Sequence, residues 1–423
     1  MMKEKACACA VASAFVMVAG IRDAGASAFA LYEQGVSGLG NSYAGAAAVS
    51  EDATTVWWNP AGMSWLPAGK HITGAAALID PSTKFSNGSS VAAGGRPLGD
   101  NGGDAGHSVV LPSIFYAMDI GPKWNVGFVI NAPFGLKTEY DSTWLGRFQG
   151  IKAEVKTVNF NPSLSYRIND AVSVGGGVSY WRGEIDLVSA VNLGVAEAQN
   201  HTNVDGDAWG FNLGAQAKVG PQTRLGVSYR SSVDFKLDGD TSFTAPAPAL
   251  LNGKVKLDVR TPDSVAFSGA HRSNDQLELL ADVTWWHWSK INQLPLVRTD
   301  GPFSGSTLDT LVLNLKDVWR LSAGANYKLS GPLTLKVGVA YDQSPVRSAD
   351  TRTVRLPDSD RYWLSAGLKY TVSKSGVLDV GYSYVKFKNA DINNNQALLG
   401  RGIVNGSYDA KVHVLGIQYQ HTF

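Results

Sequence analysis

KVHVLGIQYQHTF, residues 411–423, decides the fold. Leu415, Ile417, Tyr419 and Phe423 fall on one parity, and Gly416, Gln418, Gln420 and Thr422 fall on the other. Successive side chains of a β-strand point to opposite faces, so this segment reads as a strand with one apolar and one polar face. In a transmembrane barrel the apolar row meets lipid and the polar row meets the lumen.

The same division recurs upstream. Leu333, Leu335, Val337, Val339 and Tyr341 oppose Thr334, Lys336, Gly338, Ala340 and Asp342. Tyr362, Leu364, Ala366, Leu368 and Tyr370 oppose Arg361, Trp363, Ser365, Gly367 and Lys369. Two further runs, Trp209 to Gln216 and Val172 to Tyr180, divide in the same way. Aromatic residues gather at the ends of the apolar rows, as interfacial girdles require. A soluble β-sandwich also alternates, but its apolar faces meet each other and need no aromatic belt at both ends. Phe423, closing the last apolar row, resembles the signal read by the barrel-assembly machinery.

Short polar turns at 119–122, 167–170, 219–222, 272–275, 329–332 and 373–376 alternate with longer segments near 83–106, 133–152, 188–206, 236–254, 290–310, 344–357 and 388–406. Short periplasmic turns and long outer loops are the asymmetry of such barrels. Six turns and seven loops join fourteen strands. An even number closes an antiparallel sheet with no backbone edge left unpaired in lipid. The expected fold is therefore an all-β, fourteen-stranded transmembrane barrel over 69–423.

Lys3 and Lys5 precede an apolar run from Ala6 to Ile21, followed by small residues, so 1–28 reads as an export signal cleaved near 26–28. A retained membrane helix needs about 20 apolar residues, and this run is interrupted too soon. Beyond it no apolar stretch is long enough to span as a helix. Cys7 and Cys9 both lie inside the leader, so the exported chain is expected to hold neither disulfides nor thiolate metal sites. A net charge of +1 gives no field that would attract nucleic acid.

Residues 29–68 break the alternation. They are rich in Gly, Ala and Ser, yet carry Trp57, Trp58 and Trp65. Disordered tails are poor in aromatics, so a plug packed in the lumen is expected rather than a flexible tail. Nothing points to an enzyme. The seven histidines are scattered, and neither H-E-x-x-H nor G-x-S-x-G occurs.

FALYEQGVSGLGNSYAGAAAVSEDATTVWWNPAGM (29–63) resembles the N-terminal hatch of the FadL family, including SGLG and Asn59-Pro60-Ala61. NAPFGLKTEYDSTWLGRF (131–148) is similar to that family's third-strand exit, and PDSVAFSGAHR (262–272), LLADVTWWHWSK (279–290) and 339–367 match later segments. The resemblance implies a monomeric Gram-negative outer-membrane channel for long-chain fatty acids or, in one branch, toluene-like hydrocarbons. It implies no cofactor and no energy source of its own. Ligand is captured in an apolar groove between outer loops, passes to a lumenal site, and leaves sideways into membrane lipid at an inward kink of the third strand. A structural barrel or an adhesin remains the reading from another class, separated from a channel by a filled lumen with a break in its wall.

Expected site residues follow. For the outer groove they are Val188, Val191, Leu193, Phe243, Leu250 and Leu251, apolar side chains in segments read as exposed loops. A carboxylate calls for a basic residue of lumen parity. Arg320 and Arg361 meet that test, and Lys316 sits where the resemblance places a cation near the inner site. Arg230 also has lumen parity, whereas Arg182 matches a family basic position on lipid parity. These cations can equally pair with lumen acids such as Asp282 or Asp342 and simply hold the wall together. Phe29 corresponds to the family's ligand-contacting tail. Asn59, Pro60 and Ala61 suit shaping the hatch better than touching ligand. The lateral opening is expected between Gly127 and Gly135, where Asn131 and Pro133 interrupt a regular ladder.

Overall fold

The computed structural model describes residues 28–423, so apart from Ala28 the expected leader lies outside the described residues. Among them, twenty β-stretches form fourteen barrel strands, because six strands are each broken once. These are β1 (Lys70–Asn87), β2 (Val109–Asp119), β3 (Trp124–Asn131 and Gly135–Glu139), β4 (Lys152–Arg167), β5 (Val172–Asn192), β6 (Glu197–Lys218) and β7 (Thr223–Arg230 and Asp234–Phe243). They continue as β8 (Gly253–Arg260 and Ser264–Arg272), β9 (Leu277–Trp286 and Gln293–Arg298), β10 (Thr307–Val312 and Val318–Ser330), β11 (Leu333–Asp342), β12 (Arg361–Thr371), β13 (Gly376–Phe387 and Ala390–Asn395) and β14 (Ile403–Thr422). Each is antiparallel to its neighbour, and β14 closes on β1 from His71↔Thr422 to Asn87↔Gly406.

The faces follow the parity read from the sequence. Leu415, Ile417 and Tyr419 are 53%, 54% and 46% exposed on the outer wall, while Gln418 is buried in the lumen. Toward the extracellular ends the pattern reverses. In β8, GKVKLDVR turns Val255, Leu257 and Val259 inward and Lys254, Lys256, Asp258 and Arg260 outward. In β14, Val412 and Val414 face in while Asp409 and Lys411 face out. The wall therefore rises beyond the hydrocarbon layer, where charged residues meet water and the lumen becomes apolar. This corrects two expected loops. Residues 188–206 are almost entirely strand, with only 193–196 as the connection between β5 and β6. Of 236–254, only 244–252 leaves the sheet. Within their strand portions Ala198, Val204 and Leu237 are turned inward.

Residues 28–66 run inside the barrel with short 3-10 turns at Leu39–Asn41 and Pro60–Trp65 and a single helical turn at Thr55–Trp58. Close approach to the wall depends on lumen-facing glycines. A Cβ on Gly338 would overlap the Asn41 backbone, and one on Gly226 would overlap the Ala47 carbonyl. Buried polar groups complete the fit. Lys336 Nζ bonds Glu51 at 2.9 Å and Asp379 at 3.1 Å, and Lys369 bonds Glu51 at 2.7 Å. Arg320 donates to Ser42 O at 2.9 Å, and Arg230 to Trp57 O at 2.6 Å.

Asn59 ties the segment to two neighbouring strands at once. Its Nδ2 donates to Ala47 O (2.8 Å), Ala215 O of β6 (3.0 Å) and Val227 O of β7 (3.2 Å). Its Oδ1 accepts from Ala61 N at 3.1 Å, capping the turn that Pro60 begins. Asn59→Ala removes the donor shared by three carbonyls, that of Ala47 buried and those of Ala215 and Val227 partly so, a cost on the order of 1–3 kcal/mol. Single-channel conductance in planar bilayers is expected to rise in this variant as the segment loosens; conductance equal to the wild type would show that Asn59 does not hold it in place.

Candidate functional site

The ladder between β2 and β3 runs from Asp119↔Asn125 to Ile114↔Ile130 and stops there. Above that point Val109–Ser113 of β2 pairs only with β1, and Gly135–Glu139 of β3 pairs only with β4. Higher still, Glu139 N donates to Ala105 O at 3.2 Å and the wall closes again. A window is left in the sheet. At its edge β3 turns inward, so that residues 131–136 are all buried instead of alternating. Proline supplies no N–H for a ladder, which suits Pro133 to such a break. On the outer surface a groove of about 400 Å³ adjoins the window. It is lined by Gly74, Ala76, Pro112, Ile114 and Ile130, and reaches the inward-facing Ser113 and Asn131.

The inner side of the window is held by the start of the N-terminal segment. Leu31 N donates to Pro133 O and Gly135 N to Phe29 O, both at 2.8 Å, making an antiparallel bridge at Ala30↔Phe134. Gln34 Nε2 donates to Ala132 O at 3.0 Å. Thr157 of β4 accepts from Phe134 N (3.0 Å) and donates to Phe134 O (2.7 Å). Backbone groups freed by the break thus find partners on the N-terminal segment and on one β4 hydroxyl. The Phe29 ring lies 5.8 Å from Phe134 and 4.8 Å, edge-on, from Trp288.

Phe29 also forms part of a cavity of about 370 Å³ in the extracellular half of the lumen. Leu136, Val155, Ile185, Leu187, Val259, Leu294 and Leu356 give it apolar walls, and Leu399 and Arg401 stand at its loop end. Four charged residues line it: Asp309, Asp350, Arg355 and Arg401. Arg401 pairs with Asp309 at 3.0 Å, and Asp350 accepts from Asn393 Nδ2 at 2.8 Å. Arg355 differs. Its Nε donates to Gln149 O at 3.0 Å, but its buried Nη1 has no hydrogen-bond partner. Burial pushes this guanidinium, on the connection between β11 and β12, down to about 10, so it stays charged at neutral pH.

The profile of the outer membrane protein transport protein (OMPP1/FadL/TodX) family matches residues 16–423. The chain belongs to this family. It is 28% identical to the long-chain fatty acid transport protein of Escherichia coli K12, covering 93% of this chain and 94% of that one. It is 27% identical to outer membrane protein P1 of Haemophilus influenzae, covering 98% of each. A Pseudomonas aeruginosa FadL homologue superposes with a TM-score of 0.86 at 25% identity, over 93% of this chain and 99% of that one. The toluene transporter TbuX of Ralstonia pickettii shares the fold, with a TM-score of 0.70 at 19% identity, over 93% of this chain and all of that one. The protein is an outer-membrane transporter of hydrophobic compounds and not an enzyme.

Within this FadL-type barrel the expected site residues separate. Of the four assigned to the inner site, only Phe29 lines the cavity. Arg320 is fully buried between Ser42 O and the Tyr32 ring, 4.1 Å away. Arg361 is fully buried between Asp342 and Asp358, each at 3.3 Å. Lys316 is half-buried between the two parts of β10, away from the cavity lining. Arg230 anchors the N-terminal segment, and Arg182 points outward to Asp205 at 3.0 Å.

Of the outer-groove residues, Val191 and Phe243 line a second, extracellular depression of about 320 Å³ together with Phe148 and Leu399. Val188 packs instead on a cluster that includes Trp144 and Phe148. Leu193 lies in the β5–β6 turn, and Leu250 and Leu251 in the β7–β8 connection, none of them in that depression. Gly127, Asn131, Pro133 and Gly135 bracket the break, with Gly127 below it against Met63 and Val56. Arg355 escaped the sequence reading because the segment around it has no periodicity from which to assign a face.

Leu187→Asp places a carboxylate in the apolar wall of the cavity. Affinity for an uncharged fluorescent hydrocarbon is expected to fall about tenfold or more. Unchanged affinity would show that such ligands bind elsewhere.

Proposed function

We propose that this protein takes long-chain fatty acids across the outer membrane and delivers them sideways into it. The observation that carries the reading is the juxtaposition of an apolar cavity, open toward the extracellular loops, with a wall window that shares Phe29 and the β3 kink with it. Ligand gathers at the depression around Val191, Phe243 and Leu399, enters the cavity tail-first, and displaces the Phe29–Leu31 segment from Pro133 and Gly135. The freed window then opens onto the groove along Gly74, Ala76 and Pro112, where an acyl chain meets lipid. The N-terminal segment acts as the hatch that excludes ions throughout. No step needs an energy source, since partition into lipid favours the tail by about 0.8 kcal/mol per buried CH₂.

Radiolabelled oleate and toluene supplied to cells lacking their own channel test this reading. Oleate uptake is expected to depend on the protein. Uptake of toluene alone would assign it to aromatic hydrocarbons, and equal uptake with and without it would sink the transport route. Ser113→Trp, which fills the window edge, is expected to cut oleate uptake about tenfold while binding changes little, given how steeply bulk at a packed edge is felt. Undiminished uptake would place the exit elsewhere.

A further inference from the structure

Arg355 stands out among the charged groups of the cavity. Asp309 is taken by Arg401, and Asp350 accepts from Asn393. Among the described residues no acid lies within ion-pair distance of Arg355; Asp309, held by Arg401, acts on it only from farther away. A charge drawn partly out of water is costly unless it is paired, and a guanidinium is satisfied best by a carboxylate held at two nitrogens. The fork is also held in place. Its Nε is fixed to Gln149 O, and the stem lies across Gly150, where a Cβ would meet Arg355 Cγ at 3.0 Å and Nε at 3.2 Å. Gly150 leaves room for the stem, and the bond at Nε leaves Nη1 buried and unpartnered on the cavity lining.

We infer that Arg355 is the carboxylate-recognising residue of this cavity, so that the protein selects amphiphiles bearing a terminal monocarboxylate over neutral hydrocarbons of the same length. The assignment rests on the uptake reading above and adds its chemical selectivity. With the head group at Arg355, the apolar lining that includes Leu136, Val155 and Phe29 receives the tail, directing it toward the β3 break before the head has to leave. Arg320, Arg361 and Lys316 are not needed for recognition: the first two already have partners inside the barrel, and the third lies off the cavity.

The test compares oleate with oleyl alcohol, which keeps the tail and lacks the charge, on the purified full-length protein. Wild type is expected to prefer oleate. R355Q is expected to weaken oleate binding about tenfold or more, the scale of a lost charge-assisted pair, and to leave oleyl alcohol within about twofold. R355K keeps a charge on a similar stem and is expected to retain a preference for oleate. Equal losses for both ligands in R355Q, no loss for oleate, or an R355K protein without preference would each overturn the assignment. Uptake in cells is scored separately. Oleate binding through Arg355 without uptake keeps the site and sinks the transport reading; uptake with no head-group preference does the reverse.

Discussion

Lipid offers no hydrogen bonds, so a sheet crossing it must satisfy its backbone internally, and closure is the constraint on which the rest depends. Pairing lapses at several strand breaks, and at the β2–β3 seam above Ile114↔Ile130 an outer groove adjoins the lapse. The broken edge of this seam does not face the bilayer bare. Part of its hydrogen bonding is supplied from inside by Leu31, Phe29 and Gln34 and part by Thr157. The N-terminal segment is thus a filler of the lumen and also the missing partner of the wall. Whatever displaces it exposes backbone groups that regular pairing does not cover.

A second consequence follows from height along the barrel. In the periplasmic half the lumen is polar because the inserted segment brings its own polar groups: Glu51, Asp52 and the carbonyls of Ser37 and Ser42 meet Lys336, Lys369, Gln418 and Arg320. In the extracellular half there is no such segment, and the inner face carries Val, Leu and Ile instead. The change from polar to apolar lining occurs near Phe29. An apolar ligand therefore meets a compatible surface down to that level and a closed, charged one beneath it, which leaves the side of the barrel as the direction of least desolvation.

Period-two alternation made the strands, the short turns and the strand number legible in the sequence, because burial on one face and lipid on the other both act on consecutive residues. The same signal does not by itself orient the outer half. KVKLDVR in β8 alternates as cleanly as the membrane-crossing strands, but the apolar row there faces in. Parity alone does not say which face is inside; that depends on whether lipid or water lies beyond the wall. For single side chains parity identified Arg320 and Arg361 as lumenal and offered Asp342, which does pair with Arg361 across the strands, but it was silent on Ser42 and Asp358, which are remote in sequence or set by loop folding. Lys316 was favoured by resemblance and lies beside a strand break, where the alternation that would aim it is lost.

The contrast between these arginines is one of accounting for charge. Arg361 lies between Asp342 and Asp358, and Arg320 between Ser42 O and the Tyr32 and Trp363 rings, both away from the cavity, so removing either would leave buried partners behind. Arg355 has one backbone acceptor and a cavity. A half-buried cation with no ion-paired carboxylate of its own is stabilised by a ligand that brings one. Such a residue is poorly explained as scaffold and well explained as recognition. The same reasoning limits how tightly the site holds its cargo, because the head group must later leave Arg355 for the window, and a second buried cation would trap it.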